Sequence, residues 1–312
     1  MEEKKFGESG KGFAVLLLVF YQIVLKAGEP HFAGIIGTEI VSVGFTILSL
    51  VMGYEWGFQK GKRDYWLGIC RIYLNYWVLY VVFSYLVLAW QKNIYKGSIK
   101  NILADAAGLS GLFGTPSISA TGWYVSVIVL GWCISPLARK MVPYLKFSLL
   151  TGAMMGIILV SHYVQKQGCE RVVYYLLVLL LGMCFSEIRP GIRVKNWINW
   201  RKWGTLAWFA VLVCVTGYLR ENLGIVMEVP LGCCFLACLY CLWACVPQIG
   251  EWFIYLGKNW FLIFLIVGFM MECGYSAQLR SEYDSTVVMT GALLSGAVAI
   301  TILVTKWKEK LR

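Results

Sequence analysis

Apolar residues run in long blocks from Phe13 to Val304, separated by short stretches that carry Lys, Arg, Gly and Pro. A helix crosses the hydrocarbon of a bilayer with about 20 mainly apolar residues, and Trp, Tyr, Lys or Arg at its ends mark the two interfaces. On that rule the pattern predicts spans near 12–27, 33–55, 69–90, 122–138, 147–164, 172–188, 203–219, 225–246, 259–276 and 286–305. The first block is short, and Glu272 and Cys273 interrupt the ninth. Glu2, Glu3 and Glu8 precede the first block and no small-residue cleavage site follows it, so it reads as a retained helix and not as a signal peptide. The expectation is an all-α integral membrane protein, a bundle of about ten transmembrane helices forming a single domain over residues 1–312.

Composition supports the membrane class. The chain is 59% hydrophobic and 14% charged, with a mean hydropathy of +0.68, against about 25% charged residues in an ordinary soluble domain. The formal charge of +11 would suit a nucleic-acid partner, but the cations sit in clusters between apolar blocks and form no stripe, so no nucleic acid is expected. Ten spans put both termini on one side of the bilayer. That side receives 20 of the 28 Lys and Arg and the other side 8, which predicts cytoplasmic N- and C-termini. Most of the eleven cysteines lie inside apolar blocks, where they act as small hydrophobes. Cys234, Cys238, Cys241 and Cys245 share one face of the eighth span; small residues at that spacing mark a close helix contact, and no metal is expected.

The connection over 91–121 is long for a bundle and mixes charge with glycine and apolar residues, as in Ala106-Ala107-Gly108-Leu109-Ser110-Gly111-Leu112-Phe113-Gly114. Its apolar content predicts packing against the outer face as a re-entrant or interfacial segment. No internal repeat and no paired broken spans of an inverted-repeat transporter are legible.

In the first span Lys11 stands at the inner mouth and Gln22 eleven residues further on. Eleven residues return to within roughly 20° of the starting direction and rise about 16 Å, so a cation and a mid-depth polar group share one helix face. On the residues alone, a positive flank and an interhelical hydrogen-bonding amide account for the pair better than a functional alignment does.

The stretch Lys11-Gly12-Phe13-Ala14-Val15-Leu16-Leu17-Leu18-Val19-Phe20-Tyr21-Gln22 resembles the opening helix of the membrane acyltransferase-3 family, which runs from Arg or Lys through ten residues to a catalytic His. Phe45-Thr46-Ile47-Leu48-Ser49-Leu50 is similar to that family's Phe-Phe-x-Leu-Ser-Gly segment, and Arg71-Ile72-Tyr73 to the basic entry of its third helix. Trp123-Tyr124-Val125, with Pro136 read as the end of that span, resembles its Trp-Tyr-Leu helix. The four stretches fall in order over residues 11–140. Three positions depart: Gln22 stands in place of the His, Leu50 in place of the Gly, and Gly68 in place of a basic residue, which leaves Arg71 alone of its pair.

The resemblance implies transfer of an acyl group from acetyl-CoA or another acyl-CoA to a hydroxyl of a cell-surface glycan or its lipid-linked precursor. Lys11 and Arg71 are then the candidate CoA-phosphate cations, Trp123 and Tyr124 the candidate substrate-binding aromatics, and Gln22 the residue at the catalytic position. A neutral amide has no titration near pH 7 and cannot serve as a general base. Among other groups Glu39, an intramembrane carboxylate, is the best substitute base, ahead of His31 and His162 near the outer ends of spans. The alternative is a non-catalytic relative on the same scaffold, serving export or as a partner subunit.

Overall fold

The computed structural model describes residues 2–27, 38–58, 62–89, 94–119, 121–161, 169–187, 202–272, 296–299 and 301–302, in parts of some helices by their backbone alone. The elements are α1 (Glu2–Ala27), α2 (Thr38–Phe58), α3 (Lys62–Ala89), α4 (Ile99–Ala106), α5 (Ser110–Phe113), α6 (Gly122–Ser161), α7 (Cys169–Glu187), α8 (Lys202–Leu223), a 3-10 turn (Gly224–Met227), α9 (Glu228–Cys245), α10 (Pro247–Lys258) and α11 (Trp260–Glu272). Among the described residues there is no strand.

Most of the apolar blocks thus become helices, and among the described residues three are long and apolar enough to cross a membrane: Trp66–Leu86, Gly122–Tyr144 and Cys169–Ser186. Gln248–Lys258 and Trp260–Met270, bent at their break, make a fourth when counted as one span. Ser148–Leu159, Gly204–Leu219 and Glu228–Trp243 are shorter apolar helices. Several boundaries differ from expectation: α3 begins at Lys62 and not near 69, and α10 fills 247–258, where no helix was expected. Helix α1 begins at Glu2, ten residues before the first apolar block, and α6 runs for 40 residues through Pro136 and Pro143 where two spans and a loop were expected. A proline removes one N–H from the ladder and leaves the carbonyl four residues back without its donor. At Pro136 that carbonyl belongs to Trp132, and the Ser135 hydroxyl donates to it at 3.1 Å. The helix is thereby carried past the residue that reads as its end.

Contacts divide the chain into two units, one of residues 1–14, 42–60 and 131–258 and the other of 15–41, 61–130 and 259–312. In the first, small residues bring helix backbones together. A Cβ placed on Gly53 would lie 2.0 Å from the Leu179 carbonyl oxygen, and one on Gly182 2.3 Å from that of Leu50, so α2 and α7 meet without intervening side chains. The start of α1 meets α10 in the same way at Gly12 and Gly257, beside the edge-on rings of Phe13 and Phe253. In the second unit α3 and α11 are joined by the stacked rings of Phe83 and Phe269 at 4.8 Å. Tyr124, at the start of α6, sets its ring edge-on to Phe264 of α11 at 5.6 Å.

Candidate functional site

Lys11 lies on α1 and Glu55 on α2, and the two helices close to an ion pair with Nζ 2.8 Å from Oε2. The closeness has a local cause: Gly7, one turn before Lys11, leaves open the space that the Glu55 carboxylate enters, since a Cβ there would lie 2.5 Å from Glu55 Oε1. The side chains are 11% and 27% exposed, so the pair is sheltered but reachable by solvent. An ammonium carries three protons, and this bond uses one. The remaining donors suit a phosphate, with the Glu55 carboxylate as a competing anion.

The stretch 45–50 is packed into the same unit. Phe45 meets the ring of Tyr175 at 5.8 Å, and the Thr46 hydroxyl donates to Glu228 Oε2 at 3.1 Å. The Tyr175 hydroxyl donates to that oxygen at 3.4 Å. Glu228 is buried and opens α9 directly after the 3-10 turn. Cys234, Cys238, Cys241 and Cys245 fall on this helix, Cys241 buried and the others half-buried. No group of three or more His, Cys, Asp or Glu with metal-binding geometry occurs among the described residues.

The second unit holds Arg71, Trp123 and Tyr124. Arg71 is exposed on α3. Tyr124 is fully buried and Trp123 half-buried in the first turn of α6, with their rings edge-on at 5.6 Å. A Cβ on Gly111 would lie 2.5 Å from the Trp123 backbone, so the connection from α5 runs directly over this turn.

That connection is organised by Asp105, the third carboxylate and one that the chain pattern did not single out. Its Oδ2 accepts from the Tyr95 hydroxyl at 2.5 Å and from the Ile118 N–H at 2.9 Å, and Oδ1 accepts from Tyr76 at 3.4 Å. Tyr95 and Tyr80 share a hydrogen bond at 3.0 Å. Ser126 of α6 donates to the Gly108 carbonyl at 2.8 Å and accepts from the Gly111 N–H at 3.1 Å.

The candidate residues therefore divide. Lys11 falls in the first unit with Glu55, Glu228 and the 45–50 stretch; Gln22, Glu39, Arg71, Trp123 and Tyr124 fall in the second. Gln22 is on α1 and Glu39 on the first turn of α2, but the side chains of both lie outside the described residues, as do His31 and His162 altogether. Glu55 and Glu228 were missed because a carboxylate at the end of an apolar block reads as a flank.

A family model described as acyltransferase domain matches residues 8–306. Comparison with curated proteins gave no match, and comparison with solved structures gave none.

Proposed function

This chain belongs to the membrane acyltransferase-3 family, and we propose that it moves an acetyl or other acyl group from acyl-CoA to a hydroxyl of a cell-surface glycan or its lipid-linked precursor. The match over 8–306 is the observation that carries the reading, because it extends the resemblance of the first half through nearly the whole chain. In this reading one membrane domain of about ten helices, with both termini cytoplasmic as the positive-inside rule asks, presents Lys11 and Arg71 to the CoA phosphates. A general base takes the acceptor hydroxyl proton as its oxygen attacks the thioester carbonyl; the C–O bond forms, the C–S bond breaks, and CoA leaves as the thiol once protonated. Trp123 lines the acceptor side, held by the buried ring of Tyr124 beside it.

The second reading rests on Gln22. An amide at the position of the family's His holds no transferable proton, so either Glu39 is the base or the chain is a non-catalytic relative serving export or a partner. Acyl transfer from radiolabelled acetyl-CoA by protein reconstituted in liposomes separates the cases. The expected result is little transfer by the wild type and a gain in Gln22→His, which introduces a group with a pKa near 6.5. Robust wild-type transfer, lost in Glu39→Gln and unchanged in Gln22→Ala, moves the base to Glu39. No transfer by any variant across several acyl-CoA donors and sugar acceptors favours the non-catalytic relative.

A further inference from the structure

Helix α4 is built inside out for a helix on a watery surface. Ile99, Ile102 and Leu103 share one face and are 71%, 40% and 63% exposed, whereas Asp105, on another face, is wholly buried. Phe113 of α5 is 63% exposed. A helix facing water turns such a stripe inward. Helix α3 carries exposed apolar residues of its own, Leu74, Val78, Val81 and Tyr85.

The hydrogen bonds fix how far along α3 this segment reaches. Tyr80 meets the Tyr95 hydroxyl and the Ile102 carbonyl, Tyr76 donates to the Asp105 carbonyl at 2.5 Å, and Tyr73 donates to the Ala107 carbonyl at 3.3 Å. As the chain advances from 95 to 107, its partners retreat from 80 to 73, so it runs antiparallel to α3 over about 10 Å. Tyr76 is the central residue of Trp66–Leu86, about 15 Å from either end, which is half of a hydrocarbon core about 30 Å thick. The chain then turns at Gly108, whose φ is +70°, and returns past Val125 and Trp123.

Backbone at that depth finds no water, and non-helical backbone is tolerated there only when the protein satisfies it. The polar side chains of the clasp do this. Asp105 takes the Ile118 N–H, Ser126 takes the Gly111 N–H and serves the Gly108 carbonyl, and Tyr73 and Tyr76 serve the carbonyls of Ala107 and Asp105.

We propose that residues 94–119 form a re-entrant membrane segment that dips into one leaflet beside α3 and the first turns of α6, with the Ile99–Ile102–Leu103 stripe and Phe113 in contact with the lipid tails of that leaflet. The proposal rests on the reading of α3 as membrane-crossing and on nothing in the acyl-transfer chemistry. Lys96 and Lys100, both exposed, stand toward the entrance of the descending arm.

Eleven native cysteines rule out thiol probes, so the test is an environment-sensitive fluorescent amino acid placed singly at Val78, Lys96, Leu103 or Phe113 of the full chain in nanodiscs. Each is quenched by nitroxides on lipid tails or by aqueous iodide. Tail quenching at Leu103 and Phe113 should be within about twofold of that at Val78, with iodide quenching at least about fivefold weaker than at Lys96. Leu103 and Phe113 as open to iodide as Lys96, with Val78 still shielded, overturns the re-entrant segment alone. Iodide access at Val78 removes α3 from the membrane and the proposal with it. All four positions are exposed on the surface, so the substitutions leave packing intact.

Discussion

Glu55 and Asp105, each taken within its own unit, are two answers to the problem of holding a carboxylate away from bulk water. Glu55 has a cation, Lys11, and stays 27% exposed; Asp105 is 0% exposed and accepts from two phenols and a peptide N–H. A charge withdrawn from water must be compensated by a partner charge or by hydrogen bonds, and the choice decides what the site can still do. The Lys11–Glu55 pair keeps two ammonium protons and an open edge, so a ligand anion can join it or displace its carboxylate. The Asp105 cluster ties side chains from α3, α4 and the segment before α6 into a closed unit. The first is built to exchange partners and the second to keep them.

The largest effect is expected at the closed site. Asp105→Ala leaves the Ile118 N–H buried without an acceptor and turns the Tyr95 hydroxyl to Tyr80 alone, a loss on the order of 1–3 kcal/mol for the orphaned N–H. The unfolding midpoint in detergent should fall sharply, and less in Asp105→Asn, whose amide oxygen still accepts one bond. An unchanged midpoint in Asp105→Ala would mean that water reaches the cluster and that the contrast with Glu55 is false.

The open site should respond in binding more than in folding. The Lys11→Ala, Arg71→Ala double variant removes two cations from the proposed phosphate contacts, and a hydrogen bond to a charged group contributes about 1.5–3 kcal/mol. The Kd for acetyl-CoA, measured calorimetrically in detergent, should rise at least about tenfold, and its dependence on salt should flatten. Equal CoA affinity in wild type and double variant would take both residues out of the donor site.

What the chain pattern revealed and what it hid have one physical cause. Apolar blocks act through their own composition, so the helices over 38–58, 169–187 and 228–245 were legible as helices in the blocks near 33–55, 172–188 and 225–246, and the family through four short stretches in order. Pairings between distant positions leave no such trace. Glu55 lies 44 positions from Lys11, and Asp105 is 29 from Tyr76 and 13 from Ile118, so each carboxylate looked like a flank or a loop charge. Pro136 misled for a subtler reason: the helix runs on through it, and the carbonyl it orphans is served by the hydroxyl of the residue beside it. The apolar residues of 91–121 did signal that the connection is packed, but which polar group holds it depended on tyrosines one helix away.

The smallest effect is expected at Glu55 itself, and it is the one that tests whether the open site is open. Glu55→Gln keeps the shape of the side chain and removes the anion that competes for Lys11. A partly exposed ion pair contributes about 0–1 kcal/mol, so the unfolding midpoint should move little. Lys11 then meets the CoA phosphates without a rival, and the Kd for acetyl-CoA should fall about two- to fivefold, since each 1.4 kcal/mol is tenfold and the amide still holds part of the ammonium's hydrogen bonding. The opposite sign is equally informative. Weaker binding in Glu55→Gln, matching the loss in Lys11→Ala, would show that the carboxylate positions the lysine for its ligand, so that the two act as one unit and their substitutions do not add. That result would bring Glu55 nearer to Asp105 in kind, as a group that holds a neighbour in place and takes no part in exchange.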